Sequence, residues 1–208
     1  MDLTSRVNAV LRMPWIKVPV AVACLLPITL LVTGAFAGTL SANPIDDITD
    51  GTGTWTLRFI LITLAVTPVR QLTGLNGLIR YRRMLGLFAF FYGSLHFLTY
   101  LWLDQFFDLS SIVADIPKRP FITVGFTSYV LMVPLALTSA DRIARWMGGR
   151  RWAALHRTVY LTAVGGVVHY LWLVKADIRA PLVYGGILAV LLAYRIVRAW
   201  RRRFARRA

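Results

Sequence analysis

The sequence predicts an all-α fold, a polytopic membrane helix bundle of six transmembrane helices with both termini cytoplasmic. Three observations lead there. Of the 208 residues, 57% are hydrophobic, against about 45–50% apolar in soluble domains, and the excess gathers into six runs: 18–38, 52–69, 84–103, 120–139, 157–174 and 181–200. Each run approaches the ~20 residues that cross ~30 Å of hydrocarbon at ~1.5 Å rise per residue. The runs do not alternate apolar with polar residues, which excludes a β-barrel and leaves helices to satisfy the backbone inside lipid. Finally, the cations partition. With the N-terminus in the cytoplasm, three Lys/Arg fall in the N-terminal segment, four in 70–83, five in 140–157 and seven from Arg195 onward, nineteen of the 24 on one side. That positive-inside pattern accounts for the net charge of +15 without a nucleic-acid partner.

Taken in order, the first run has basic flanks (Arg6, Arg12, Lys17) and ends in Ala35-Phe36-Ala37, which looks like a cleavage site. It is longer than a secretory core of about 7–15 residues, so it reads as a retained helix. The single Cys24 lies inside it and has no partner for an internal disulfide. Segment 39–51, with Asp46, Asp47 and Asp50 beside Pro44, Gly51 and Gly53, reads as an acidic, turn-rich outer loop. The second run is the weakest, because Arg58 interrupts it; that side chain is expected to snorkel outward. Arg82 and Arg83 are expected to face phosphate headgroups or, alternatively, a bound anionic cofactor. Segment 104–119 spaces Phe106, Phe107, Leu109, Ile112, Val113 and Ile116 at helical intervals, as an interfacial helix or a docking surface would. The basic tail 201–208 suits anionic lipid headgroups. No repeat or composition shift divides the chain, so 1–208 reads as a single integral-membrane domain.

Two of the three histidines lie inside hydrophobic runs. An ionisable group at that depth is costly and points to function. His96 is 12 residues above position 84 and His169 is 12 above position 157, so each sits about 18 Å from the cytoplasmic side. They share one depth. Gly93, Gly165 and Gly166 lie three or four residues before them on the same helix faces, leaving gaps that suit a flat macrocycle or, as the plainer alternative, close helix packing. A bare zinc or copper ion would want more ligands, yet the chain has no Glu, one Cys and no mid-bilayer Asp. Haem iron needs only two axial imidazoles, so the pair selects haem. His156, 13 residues before His169, would lie about 19–20 Å lower and roughly 140° around an ideal helix. It is a candidate ligand for a second, inner haem or an ordinary interfacial histidine; 13 residues before His96 stands Arg83, not a matching imidazole. Arg58, Arg119, Lys175 and Arg179 are outer cations, available to haem propionates or simply solvated.

Six segments then look familiar: Arg82-Arg83-Met84-Leu85-Gly86-Leu87, Leu95-His96-Phe97-Leu98-Thr99-Tyr100, Arg119-Pro120-Phe121-Ile122-Thr123-Val124-Gly125, Pro134-Leu135-Ala136-Leu137-Thr138-Ser139, Leu155-His156-Arg157-Thr158-Val159-Tyr160 and His169-Tyr170-Leu171-Trp172-Leu173-Val174-Lys175. In this order, over about residues 40 to 200, they resemble the MsrQ family, haem-binding membrane subunits within the ferric-reductase-like transmembrane group. The resemblance implies electron transfer from the respiratory quinone pool, through b-type haem, to MsrP, a periplasmic molybdopterin enzyme that reduces methionine sulfoxide in oxidised envelope proteins. It implies an inner-membrane location, an association with FMN, and ligand roles for His96, His156 and His169. No motif places FMN, and no dinucleotide fingerprint is present. The chain ends eight residues after Trp200, so electrons are expected from a membrane donor or a separate soluble protein. The alternatives are a stand-alone transmembrane ferric or cupric metalloreductase, and a transporter whose histidines relay protons.

Overall fold

A computed structural model describes residues 2–205, which are helical with no strand among them. The helices are α1 (Leu3–Arg12), α2 (Lys17–Ala37), α3 (Pro44–Thr73), α4 (Arg82–Thr99, continued by a π-helical turn, Tyr100–Asp104), α5 (Leu109–Lys118), α6 (Pro120–Leu137), α7 (Asp141–Met147), α8 (Gly149–Leu155), α9 (Val159–Leu173) and α10 (Arg179–Phe204). Five stretches are long and apolar enough to cross a membrane: Pro14–Ala37, α3, Arg82–Asp104, α6 and Arg179–Arg202. The chain is a multi-pass membrane protein. The run expected at 157–174 is shorter as a helix. A 3₁₀ turn (His156–Thr158) precedes α9, whose 15 residues rise only about 22 Å. Arg206, Arg207 and Ala208 of the expected basic tail lie outside the described residues.

The acidic segment expected as an outer loop is the start of α3. Pro44 opens the helix, and Asp46 and Asp47 occupy its first turn, where a proline's missing N–H costs nothing and negative charge meets the helix dipole. Gly51 and Gly53, read as turn signals, sit inside the helix because neighbours press on it: a Cβ at Gly51 would come within 2.9 Å of Leu31. Tight packing outweighs the ~1 kcal/mol cost of glycine in a helix. True turns fall where backbone sign demands them, at Gly38 (φ 64°) and Gly74 (φ 72°), which end α2 and α3 in the left-handed region. Of segment 104–119, only Leu109–Lys118 forms the expected amphipathic helix, with Ile112 buried and Leu109 and Val113 exposed; Phe106 and Phe107, expected on the same helix, lie in the turn before it with φ of 48° and 58°. Asp108 caps the helix, accepting from the Ser110 and Ser111 N–H groups; the Ser110 hydroxyl first, and those two bonds after it, hold its carboxyl below the usual range. Segment 140–157 is not a plain loop but carries α7 and α8.

α3 is the axis of the bundle. Leu57, Phe59, Ile60, Leu61, Leu64 and Val66 are buried along it, and it packs most closely on α4, while α6 packs most closely on α9. These two pairs hold the bundle together. α2 and α10 lie outside them and expose apolar rows such as Val18, Val22, Leu26 and Leu30, and Val183, Ile187 and Val190, as lipid-facing helices do.

Proline removes hydrogen-bond donors inside these helices, and side chains from other helices fill in. Next to Pro27 of α2, the fully buried Tyr92 of α4 inserts its hydroxyl between two helical partners: it donates to the Cys24 carbonyl (2.9 Å) and accepts from the Ile28 N–H (3.1 Å). In α3, Pro68 cannot donate to the Leu64 carbonyl four residues back. Arg195 of α10 donates to it instead (2.6 Å), with its other nitrogen on the Tyr160 hydroxyl (3.1 Å). Arg58, expected to snorkel outward, is held within the bundle, its Nε on the Tyr184 hydroxyl (2.9 Å) and its guanidinium 4.7 Å from the Trp55 ring. The reason is that α10 offers it a phenol at its own level.

Tyr92→Phe is therefore expected to destabilise the folded protein by about 1–3 kcal/mol, the cost of stranding a buried polar group, read by denaturant titration in detergent. Arg195→Met is expected to cost a similar amount in the native chain and less in a Pro68→Ala background, where the residue-68 N–H can reach the Leu64 carbonyl; thermal melts of the four proteins check this coupling.

Candidate cofactor site

The two helix pairs bring His96 of α4 and His169 of α9 together. Their ring centres stand 6.0 Å apart with planes at 76°, and both line one cavity of about 330 Å³, within the range of ligand-binding clefts. Each ring is fixed from behind by a carbonyl: His96 Nδ1–H donates to Thr49 O (3.0 Å) and His169 Nδ1–H to Phe121 O (2.7 Å). A carbonyl only accepts, so the proton sits on Nδ1 and the Nε2 lone pair of each ring stays available. Two imidazoles bound to one metal at about 2.0–2.1 Å would have ring centres roughly 6 Å apart, so the spacing of the pair matches that of two ligands of one metal. No group of three or more His, Cys, Asp or Glu able to hold a bare metal ion occurs among the described residues.

The expected glycines separate into two kinds. Gly93 and Gly166 line the cavity. Gly165 instead packs on the Ser128 side chain of α6, the close-packing alternative. Two further glycines, Gly53 of α3 and Gly125 of α6, also line the cavity and lie directly against the imidazoles. Reasoning along one helix at a time missed them, because they lie on neighbouring helices. Phe97 stacked on Tyr129 (4.7 Å) forms one side.

The mouth of this cavity carries Asp46, Asp50, Tyr100, Asp104 and Arg119. Of the four expected outer cations, Arg119 lines it; Asp115 holds that guanidinium by a 2.5 Å hydrogen bond and raises its pKa. Tyr100 donates to the other oxygen of Asp115 (3.1 Å). Arg58 is engaged in the bundle as described, and Arg179 is exposed beside Asp177 at 3.8 Å.

His156 belongs to a second cavity of about 660 Å³, which also holds Arg82, Arg83, Arg145 and Trp152. The two cavities share Ile60, Met132 and Thr162 as walls, so they are neighbours separated by side chains. His156 stacks on Trp152 (3.9 Å between ring centres), and its Nε2 bonds the Thr138 hydroxyl (3.0 Å). Burial first, and the Arg82 charge second, push its imidazole below the ordinary histidine range, which keeps it neutral near pH 7. Arg83 is drawn to Asp141 (2.5 Å), whereas Arg82 is half-buried with no carboxylate in salt-bridge range among the described residues.

The description "Ferric reductase like transmembrane component" matches residues 52–167, a stretch that contains His96 and His156 and stops two residues before His169. Curated relatives match over nearly the whole chain. A protein of Herminiimonas arsenicoxydans is 50% identical over 190 residues, 90% of this chain and 87% of its own length. One of Azospira oryzae is 54% identical over 183 residues, 88% and 78%, and one of Rhodospirillum rubrum is 53% identical over 192 residues, 92% of each. All three are named protein-methionine-sulfoxide reductase heme-binding subunit MsrQ. No solved structure matches.

Removing the charge beside His156 should release its imidazole. Arg82→Gln is expected to raise the His156 pKa, followed by NMR titration of histidine-labelled protein, whose three histidines keep the spectrum simple.

Proposed function

The chain belongs to the MsrQ family of ferric-reductase-like membrane proteins, and we propose that it is the haem-binding electron-transfer subunit of a protein-methionine-sulfoxide reductase system. One observation carries this reading: two imidazoles from separate helices, each locked by a backbone carbonyl, line one cavity with ring centres 6.0 Å apart. His96 and His169 would hold a b-type haem through their free Nε2 atoms. Bound there, the haem supplies one-electron transfer without breaking any substrate bond.

The protein's own part is to hold, orient and exclude. The Thr49 and Phe121 carbonyls fix the tautomers and raise the basicity of both imidazoles, as outer partners of metal ligands do. Phe97, Tyr129 and Met132 give the site an apolar wall. Arg119, already at the mouth, would pair with a propionate. His156 would hold a second haem in the neighbouring cavity, which Arg82 also lines, once its Nε2 leaves the Thr138 hydroxyl.

The basic end faces the cytoplasm of a bacterial inner membrane, with both termini on that side, by the partition of cations. The acidic mouth then faces the periplasm, where MsrP, a molybdopterin enzyme, takes up electrons to reduce methionine sulfoxide in envelope proteins. Quinol is the donor; FMN belongs to the reading through the family alone, and no residue is assigned to it. This chain is not the catalytic subunit.

Purification in mild detergent is expected to give a coloured protein whose Soret band sharpens on dithionite reduction. His96→Ala and His169→Ala should each remove most of the haem, and His156→Ala part of it. A colourless, well-folded preparation would refute the reading. Reduction of ferric or cupric ions by quinol without MsrP would shift it to a stand-alone metalloreductase.

A further inference from the structure

We infer that Gly53 and Gly125 are positioning residues that seat the two cavity imidazoles, by one carbonyl-and-glycine arrangement used on two different helices. The inference rests on His96 and His169 being the haem ligands.

The arrangement repeats closely. His96 is anchored on the carbonyl of Thr49, 47 residues before it, and His169 on the carbonyl of Phe121, 48 residues before it. In each case a glycine lies four residues beyond the anchoring carbonyl: Gly53 after Thr49 on α3, Gly125 after Phe121 on α6. The spacing has a physical reason. In an α-helix the carbonyl of residue i accepts from the N–H of residue i+4, and every Cα–Cβ bond leans toward the helix N-terminus. The side chain at i+4 therefore overhangs the carbonyl at i. A bulky ring from another helix reaches the second lone pair of that carbonyl only where residue i+4 has no side chain.

The distances bear this out. A Cβ on Gly53 would lie 2.9 Å from His96 Cε1 and 3.0 Å from its Nδ1. One on Gly125 would lie 2.6 Å from His169 Nδ1 and 2.8 Å from its Cε1. An imidazole is rigid, so a methyl group there must drive the whole ring off its carbonyl. Gly51 differs: the Cβ would meet only the end of the Leu31 side chain, which can rotate away. Gly186 meets nothing within 4 Å.

The role is thus more specific than close packing of helices. The glycine lets the Nδ1–H···O=C bond form, and that bond holds the ring angle and keeps Nε2 unprotonated. Loss of such an outer partner typically lowers metal affinity about 10–100-fold.

The test compares Gly53→Ala and Gly125→Ala with Gly51→Ala and Gly186→Ala, each purified in detergent. Haem per protein, the ferric low-spin EPR signal and the melting temperature are recorded. The first two should lose haem affinity by about 10–100-fold and show an altered EPR signal in whatever haem remains; the other two should keep the wild-type signal. A double-mutant cycle separates seating from packing. In a His96→Ala background the Gly53→Ala methyl meets no ring, so it should leave the melting temperature unchanged, whereas beside His96 it should lower it. If Gly53→Ala fails to fold but the double variant folds, the seat is supported. Wild-type haem content and EPR signal in Gly53→Ala and Gly125→Ala, or equal thermal loss with and without His96, overturns the proposal. A wild-type protein without haem refutes the ligand reading instead, and the thermal cycle still decides whether the glycine seats the ring.

Discussion

Inside hydrocarbon no water is at hand for a stray donor or acceptor, so every polar group must find its partner in protein. Much of this fold follows from how helices answer that requirement for one another. Tyr92 of α4 bridges the ladder of α2 beside Pro27. Arg195 of α10 takes the Leu64 carbonyl that Pro68 leaves free. His96 and His169 hang from carbonyls of α3 and α6. In each case a side chain reaches a backbone carbonyl of another helix. Such bonds fix rotation as well as distance, which apolar packing between helices in lipid does less well.

The same bonds join structure to chemistry. α3 and α6 hold the carbonyls; α4 and α9 hold the imidazoles. Because α3 packs on α4 and α6 on α9, each pair presents one oriented ring, and contact between the pairs brings the rings to one cavity. The second cavity lies beyond Ile60, Met132 and Thr162, and the two differ in charge: Asp46, Asp50 and Asp104 at one mouth, Arg82, Arg83 and Arg145 around the other. That polarity fits the proposed path of electrons from the basic end to a protein acceptor at the acidic mouth.

Much of this was legible in the sequence. Hydrophobic runs gave the helical membrane bundle, and equal spacing from positions 84 and 157 predicted His96 and His169 at one level, where the structure brings their rings to 6.0 Å. The misjudged parts share a cause. Gly51 and Gly53 look like turn residues along the chain, yet they belong to a helix under lateral pressure. Gly165 looks like room for a ligand and is a packing contact with Ser128. Arg58 looks obliged to snorkel until Tyr184 is seen beside it. Glycines and cations take their meaning from neighbouring helices, which periodicity along one helix does not reveal.

By itself, the sequence determined the class of fold, the apolar character of the helices, the clustering of cations along the chain and the spacing of the histidines within their apolar runs. These depend on composition and on distance along a helix, which residue order contains. Only the tertiary structure decided which carbonyl fixes each imidazole, that His156 belongs to a different cavity, and that the closest glycines come from helices other than those of the histidines. Those depend on the rotation of one helix against another, set by contacts between residues 47 or more positions apart.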